Sequence, residues 1–287
     1  MKFNLKILEK NAIPKDLREI PQPPKKLYLA GSLPPSGTIY LAVVGSRKCT
    51  TYGKDTVRKL ILGLKSYPIA IVSGLAIGID ALSHEAALEA GLHAVAFPGS
   101  GISDAALSYN PNNKLIKRII DSGGCLISEF EPELKAAFWT FPMRNRLVAG
   151  ISKAALIIEA EEKSGTLITA RMALDYNREV LALPGNINLP NSKGTNRLIR
   201  DGATPITCPE DILEALGFKI DEKSKQESLF EDATPEEKEV LEILREPQPR
   251  DDLIRLMKRS TAEANALLSV MEIKGLIKEE MGEVRLA

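Results

Sequence analysis

The sequence contains a short segment whose residue types could bind phosphate. Gly45-Ser46-Arg47 follows the apolar run Leu41–Val44 and precedes a segment with apolar residues at helical spacing. A strand that ends at glycine and leads into a helix presents free backbone N–H groups and the positive end of the helix dipole. Arg47 adds a guanidinium that fits a phosphate oxygen. The segment predicts an anion site, and a tight turn beside a surface arginine is the alternative.

Three further segments repeat this combination of glycine with hydroxyl or basic side chains. Ser73-Gly74 and Gly78 lie in a loop where the glycines allow close approach of backbone to a ligand, with a packing loop capped by Asp80 as the alternative. Ser164-Gly165-Thr166 opens a predicted helix, and Lys193-Gly194 precedes the next one. Both are candidates for holding a phosphate at a helix start.

The segment 138–146 places three aromatic residues before two arginines. It reads Phe138-Trp139-Thr140-Phe141-Pro142-Met143-Arg144-Asn145-Arg146. Aromatic rings stack on unpaired bases and arginine binds phosphate, which together suit a groove for single-stranded nucleic acid. In the alternative interpretation the rings belong to the core, and the arginines are solvated or pair with Glu129 and Glu131.

The motifs of several other chemistries are absent from the sequence. There is no complete Walker A motif, no G-x-G-x-x-G and no G-x-S-x-G. Asp80 and His84 share a helix face at i, i+4, but no carboxylate–histidine cluster surrounds them, so we expect a structural hydrogen bond there. The three cysteines are far apart and form no C-x-x-C pair. We therefore predict no catalytic residue, no metal and no cofactor.

The net charge of the 287-residue chain is zero, so a nucleic-acid site must come from a local group of cations. The available cations near the candidate segments are Arg47, Lys135, Arg144, Arg146, Lys163, Arg171, Lys193 and Arg197. No leader pattern and no apolar run of membrane-spanning length is present. We expect a cytoplasmic protein with no membrane contact.

Short apolar runs alternate with amphipathic segments between residues 38 and 217. The runs predict strands at 40–44, 69–72, 93–97, 125–127, 154–159 and 179–183, and the helices are expected at 53–65, 79–90, 111–122, 142–150, 166–177 and 193–201. This alternation predicts an α/β fold, a mostly parallel Rossmann-like sheet with helices on both faces. In such a sheet the carboxyl ends of the strands share one edge, so the candidate segments should line one crevice.

Composition divides the rest of the chain into three parts. Residues 1–37 form a proline-rich lead-in expected to pack over the core, 218–233 form a charged linker, and 234–287 form a small domain. The small domain shows three helix signals and a hairpin, which is typical of a winged helix. Its net charge is −3, and its third helix carries Glu263 and Glu272 against Lys274. This composition favours a protein or dimer contact over DNA reading.

These segments together resemble the DNA-processing protein A (DprA/Smf) family over about residues 14–217. The matching residues are Val43–Arg47, Val72–His84, Ser128-Glu129, Phe141–Ile151, Glu159 with Ser164–Ala170, Glu179–Gly185, and Gly194 with Leu198–Ala203. The resemblance implies an extended Rossmann fold and a homodimer that binds single-stranded DNA without catalysis. It also implies that the protein protects incoming DNA and loads the RecA recombinase onto it in natural transformation and homologous recombination.

The resemblance also implies which residues bind DNA. Gly45, Ser46 and Arg47 match the phosphate-gripping motif, Phe141 and Arg144-Asn145-Arg146 match a Phe-Pro-x-Arg-Asn-Arg segment, and Ser164-Gly165-Thr166 and Lys193-Gly194 match later loops. Phe138 stands where the family often has lysine, and Lys135 is the candidate substitute.

Two other functions remain open from the sequence. One is a nucleotide-binding Rossmann enzyme that hydrolyses N-glycosidic bonds with Glu159 or Glu129 as acid or base, although its Pro-Gly-Gly-x-Gly-Thr signature is absent. The other is an adaptor that acts through its winged helix.

Overall fold

The computed structural model describes residues 4–108, 110–219, 233–244, 246–280 and 282–286. It divides into two compact units, Met1–Phe218 and Lys219–Ala287. The predicted linker at 218–233 lies, from residue 220 to 232, outside the described residues. Among the described residues, no helix combines the length and the apolar character needed to cross a bilayer.

The first unit is built on a nine-stranded sheet in the order β1-β2-β6-β5-β4-β3-β7-β8-β9. The seven strands from β6 to β9 in that order run parallel to one another. The central ones are buried on both faces, as their continuous apolar sequences predict. The strands are Leu5–Glu9 (β1), Lys26–Gly31 (β2), Ile39–Val44 (β3), Ile69–Ser73 (β4), His93–Ala96 (β5), Cys125–Ser128 (β6), Ala154–Ile157 (β7), Glu179–Ala182 (β8) and Thr204–Pro205 (β9).

The helices of this unit follow the strands, and the predicted α/β fold is confirmed. They are Lys15–Arg18 (α1), Thr51–Leu62 (α2), Ile79–Glu89 (α3), Asp104–Leu107 (α4), Asn113–Asp121 (α5), Thr140–Ile151 (α6), Gly165–Asp175 (α7), Pro190–Arg200 (α8) and Pro209–Ala215 (α9), with a 3-10 turn at Lys10–Ala12. Buried apolar residues at helical spacing, such as Val57, Leu60 and Ile61 of α2, attach them to the sheet.

The proline-rich lead-in differs from the expectation that it packs over the core, because part of it lies in the sheet. β2 pairs antiparallel with β6, Leu29 opposite Ile127, and β1 pairs antiparallel with β2. No proline lies within 26–31, so every residue of β2 keeps its backbone N–H for the ladder. Because prolines lie on both sides of this apolar segment, the sequence pattern did not predict the six-residue strand β2.

Short elements and helix starts also differ from the predicted ones. α4, β9 and α9 are too short to show a period in the sequence. α6 begins at Thr140 rather than 142, because the Thr140 hydroxyl donates to the Gly99 carbonyl 2.6 Å away and fixes the first turn. That contact joins residues far apart in the chain.

The second unit has the predicted winged-helix pattern. Its elements are Pro235–Ile243 (α10), Gln248–Pro249 (β10), Arg250–Leu256 (α11), Thr261–Ile273 (α12), Ile277–Glu280 (β11) and Glu283–Leu286 (β12). Capping boxes begin α10 at Thr234 and α12 at Ser260. Leu241, Leu253 and Leu268 belong to an apolar core of this unit's own.

Candidate nucleic-acid interface

The carboxyl edge of the parallel sheet contains two adjoining cavities, of about 550 and 560 Å³. They share the lining residues Arg47, Gly74, Ala76, Phe141 and Arg144. We call the two cavities together the edge groove. It lies where the parallel strands end, as the sequence predicts.

The first cavity is lined by the loop after β3, the start of α6 and the start of α7. Its cations include exposed Arg47, Lys48 and Lys163. Its remaining lining residues are Val44, Gly45, Ser46, Gly74, Ala76, Asp80, Phe138, Phe141, Pro142, Arg144, Asn145, Val148, Glu161, Ser164, Gly165, Thr166, Ile168 and Thr169.

The second cavity lies on the other side of Arg47 and is more apolar. It contains exposed Lys135 and Ile77, whose side chain is 48% exposed. The other lining residues are Arg47, Gly74, Leu75, Ala76, Gly99, Ser100, Ala106, Asn110, Pro111, Ala136, Phe141 and Arg144.

Arg47 stands between the two cavities on the face of an aromatic ring. Its guanidinium carbon is 5.4 Å from the centroid of Phe141, a cation–π arrangement that restrains the side chain without consuming its N–H donors. Phe141 in turn packs against Gly99, where a Cβ would come within 2.6 Å of the ring. Arg47 and Phe141 together place a cation and an aromatic ring at the same point of the groove.

The loop that carries Arg47 is held by hydrogen bonds from its neighbours. Thr166 Oγ1 donates to the Gly45 carbonyl at 3.1 Å, and the Lys48 N–H donates to Ser46 Oγ at 3.0 Å. Gly78 has a φ of +85°, and its Cα faces the backbone of Ser46 and Arg47 too closely for any Cβ. Gly78 therefore supports the loop from below and does not line the groove.

Arg144 forms the floor between the cavities and is only 4% exposed. Its guanidinium donates to the carbonyls of Gly74 and Phe97. Asp80 accepts from the N–H groups of Gly74 and Ala76 at 3.1 and 3.4 Å. Burial lowers the pKa of Arg144 to about 10 and raises the pKa of Asp80, while each charge opposes the shift of the other. Arg144 therefore braces the loop after β4.

Four other predicted site residues do not line the groove. Ser73 is fully buried and donates to the Val43 carbonyl at 2.6 Å. Arg146 is buried and paired with Glu129, as the alternative interpretation of the segment 138–146 expected. Gly194 packs against the backbone of Ala160, and Lys193 is exposed on α8. The remaining predicted residues do meet in the groove, namely Gly45, Ser46, Arg47, Gly74, Lys135, Phe141, Arg144, Asn145, Ser164, Gly165 and Thr166.

Lys48, Ile77 and Ile168 are among the groove residues that sequence reasoning missed. Lys48 follows Arg47 directly and shares its loop, which is a signal that could have found it. Ile77 and Ile168 follow glycine-containing motifs, and their exposure of 48% and 45% is unusual for isoleucine. Phe138 is 96% exposed at the mouth of the first cavity, whereas Trp139 packs edge-on against Phe130. Within the described residues, no group of three or more His, Cys, Asp or Glu could hold a metal ion.

Comparison with known proteins decides the family. The model of DNA recombination-mediator protein A matches residues 4–217, and that of the DprA winged helix domain matches residues 224–283. The chain belongs to the DprA/Smf family.

Curated members of the DprA/Smf family are similar to this chain over most of its length. Protein Smf of Escherichia coli is 40% identical over 197 residues, which cover 69% of this chain and 52% of that relative. DNA processing protein DprA of Streptococcus pneumoniae is 38% identical over 205 residues, covering 71% of each. The chain therefore matches about half the length of the Escherichia coli protein.

Solved DprA structures share the fold. The X-ray structure of DprA from Streptococcus pneumoniae superimposes with a TM-score of 0.68 at 36% identity, covering 77% of this chain and 76% of that one. DprA from Helicobacter pylori, whose structure describes a single-stranded DNA binding mode, gives 0.65 at 32% identity, covering 75% and 98%.

Proposed function

We propose that the chain binds single-stranded DNA in the edge groove and performs no chemistry on it. The observation that carries the proposal is the groove itself, where the exposed cations Arg47, Lys48 and Lys163 line the same cavity as the aromatic rings of Phe138 and Phe141. Cations that follow a backbone, together with rings on which bases stack, suit unpaired nucleic acid of any sequence. The single-stranded DNA binding mode of the Helicobacter pylori relative supports this assignment.

The groove offers a separate place for each part of a nucleotide. The phosphate is expected at Gly45–Arg47, a glycine-containing loop from which the Arg47 guanidinium borders both cavities. The bases are expected against Phe138 and Ile168 in the first cavity and against Ile77 in the second. Because Arg47 borders both cavities, one phosphate can lie between two bases.

The wider role that we propose follows from the family. The chain protects incoming DNA and loads the RecA recombinase onto it during natural transformation and recombination, acting as a homodimer in the cytoplasm. The acidic second unit is proposed to contact protein rather than DNA, because α12 offers few cations for phosphates.

The geometry gives less support to a nucleotide-hydrolysing enzyme. Glu129 is engaged by Arg146, and Glu159 is 3% exposed and accepts hydrogen bonds from Thr50. Neither carboxylate lines either cavity of the edge groove. A general acid or base must reach the proton that it transfers, and these two groups do not.

The proposal predicts that Arg47→Ala strongly weakens DNA binding. Fluorescence anisotropy of a labelled oligo-dT should show roughly a tenfold to hundredfold loss of affinity, since the charged contact of Arg47 with a phosphate and its placement on the Phe141 ring are lost together. The slope of log affinity against log salt should become shallower by about one phosphate contact. Lys59→Ala is the matched control, because this exposed lysine lies near the end of α2 and lines neither cavity.

Three results would contradict the proposal. The first is wild-type affinity in Arg47→Ala, and the second is absence of binding by the wild-type chain itself. The third is release of a free base from mononucleotides by the wild type and its loss in Glu159→Gln, which would favour the enzyme.

A further inference from the structure

Glu159 is a buried carboxylate beside the edge groove, and DNA binding by direct contact does not use it. It lies two residues after β7 and is 3% exposed. Its oxygens accept from the Thr50 N–H at 2.9 Å, from Thr50 Oγ1 at 2.5 Å and from Asn191 Nδ2 at 3.3 Å. A buried charge is tolerated only when hydrogen-bond donors of this kind surround it, so the donors around position 159 favour a carboxylate there.

Asn191 extends the same network to the loop that carries the cations. Its Nδ2 donates to the Lys48 carbonyl at 2.8 Å as well as to Glu159. Its own carbonyl accepts from the Ala160 N–H at 2.8 Å, which ties the start of α8 to the residue after Glu159. Asn191 therefore joins the loop and the carboxylate through its side-chain amide, and the segment after β7 through its backbone carbonyl.

Thr50 connects the carboxylate to α2. Its hydroxyl donates to Glu159 and accepts from the Gly53 N–H at 3.2 Å, so it caps the helix while bound to the carboxylate. Gly53 allows this approach, because a Cβ there would lie 2.7 Å from the carboxylate carbon. The loop is thus held at Gly45 by Thr166 and at Lys48 and Thr50 by the Glu159 network.

We infer that Glu159 is a positioning residue, which fixes the loop from Gly45 to Thr50 so that Arg47 and Lys48 are already in place for a phosphate. The inference rests on the proposed DNA binding. A preorganised loop lowers the entropic cost of binding, and the gain appears as affinity. A carboxylate suits this site because it only accepts hydrogen bonds, whereas a glutamine would turn an NH₂ group toward one of three donors.

A double-mutant cycle on oligo-dT binding tests the inference. We expect Glu159→Gln to weaken binding roughly tenfold, within the range for residues of one hydrogen-bond network. In the Arg47→Ala background the same change should cost less than about threefold, because the cation that it positions is already absent. Binding is measured at two salt concentrations, and the fluorescence of Trp139, the only tryptophan, checks that each variant is folded.

A second pair of variants tests the network from its other end. Thr50→Val removes the hydroxyl with little change of shape and should reproduce the loss, whereas Thr50→Ser keeps the hydroxyl and should restore most of the affinity. This pair decides the question if Glu159→Gln does not fold. A purely structural role would lower the stability of Thr50→Val without the coupling to Arg47.

The outcomes distinguish failure of the positioning role of Glu159 from failure of DNA binding in the groove. Wild-type affinity in both Glu159→Gln and Thr50→Val, or an equal loss with and without Arg47, overturns the positioning role while leaving DNA binding in place. Loss of coupling accompanied by normal binding in Arg47→Ala overturns both proposals.

Discussion

The edge groove and the outer face of α12 both expose apolar side chains, but they differ in what surrounds them. In the groove, Phe138 lines the same cavity as Arg47, Lys48 and Lys163. On α12, Ile273 is 87% exposed and the helix carries Glu263 and Glu272. Exposed rings among cations suit a polyanion with stacking bases, whereas an apolar residue on an acidic helix does not.

The two regions also differ in their buried charges. Asp80, Arg144 and Glu159 are all buried at the carboxyl edge of the first unit. The second unit buries Glu237, which caps Thr234 and accepts from Lys274 Nζ at 2.7 Å. At the groove the buried charges hold the loops that line a cavity, whereas Glu237 joins the N-cap of α10 to Lys274, which directly follows α12. The buried charges of the first unit thus position the lining of a cavity, whereas the buried charge of the second unit joins two of its helices.

The largest expected effect is on stability and concerns Arg144, which braces the loop after β4. Arg144→Met should lower the free energy of unfolding of the first unit by about 3–5 kcal/mol, because Asp80 loses its nearby cation and two carbonyls lose their donor. Urea unfolding followed by Trp139 fluorescence measures it. Arg171→Met, at an exposed arginine on α7, should change the value by less than about 0.5 kcal/mol. Equal values for both variants would contradict the bracing role.

A smaller effect concerns pH, because His84 is fully buried and burial lowers its pKa to about 3 from 6.5. The unfolded chain binds a proton near pH 6.5 and the folded chain does not, so the stability that neutral His84 contributes is lost as pH falls. Between pH 7 and 5 the loss should be about 2 kcal/mol.

His84→Leu is the comparison that isolates this effect. Its free energy of unfolding should fall by about 2 kcal/mol less than that of the wild type over the same pH interval. The second unit contains no histidine and should show no corresponding change. An unchanged pH dependence in His84→Leu would show that the ring is protonated in the folded chain.

The smallest expected effect compares two exposed apolar residues, Phe138 and Ile273. Phe138→Ala should weaken oligo-dT binding by about 1 kcal/mol, or roughly fivefold, because one stacking face is lost. Ile273→Ala should leave the affinity unchanged. Anisotropy measured on both variants under the same salt tests the difference, and equal losses would remove the distinction between the two surfaces.

The sequence by itself determined the strands β3 to β8, most helices and the edge on which the glycine-rich loops lie. These features depend on local spacing, since apolar runs specify buried strands and parallel strands bring their carboxyl ends together. Gly45-Ser46-Arg47 and Ser164-Gly165-Thr166 therefore meet in the groove as predicted. The β2 strand escaped prediction because prolines flank it on both sides.

Only the tertiary structure decided what each arginine does. Arg47 is exposed and lies on the ring of Phe141. Arg144 is buried and donates to the carbonyls of Gly74 and Phe97, and Arg146 is buried and paired with Glu129. These partners are 17 to 70 residues away in the chain. The charge of a guanidinium is the same in all three places, but its desolvation and its hydrogen-bond acceptors are set by segments that meet only in the folded chain.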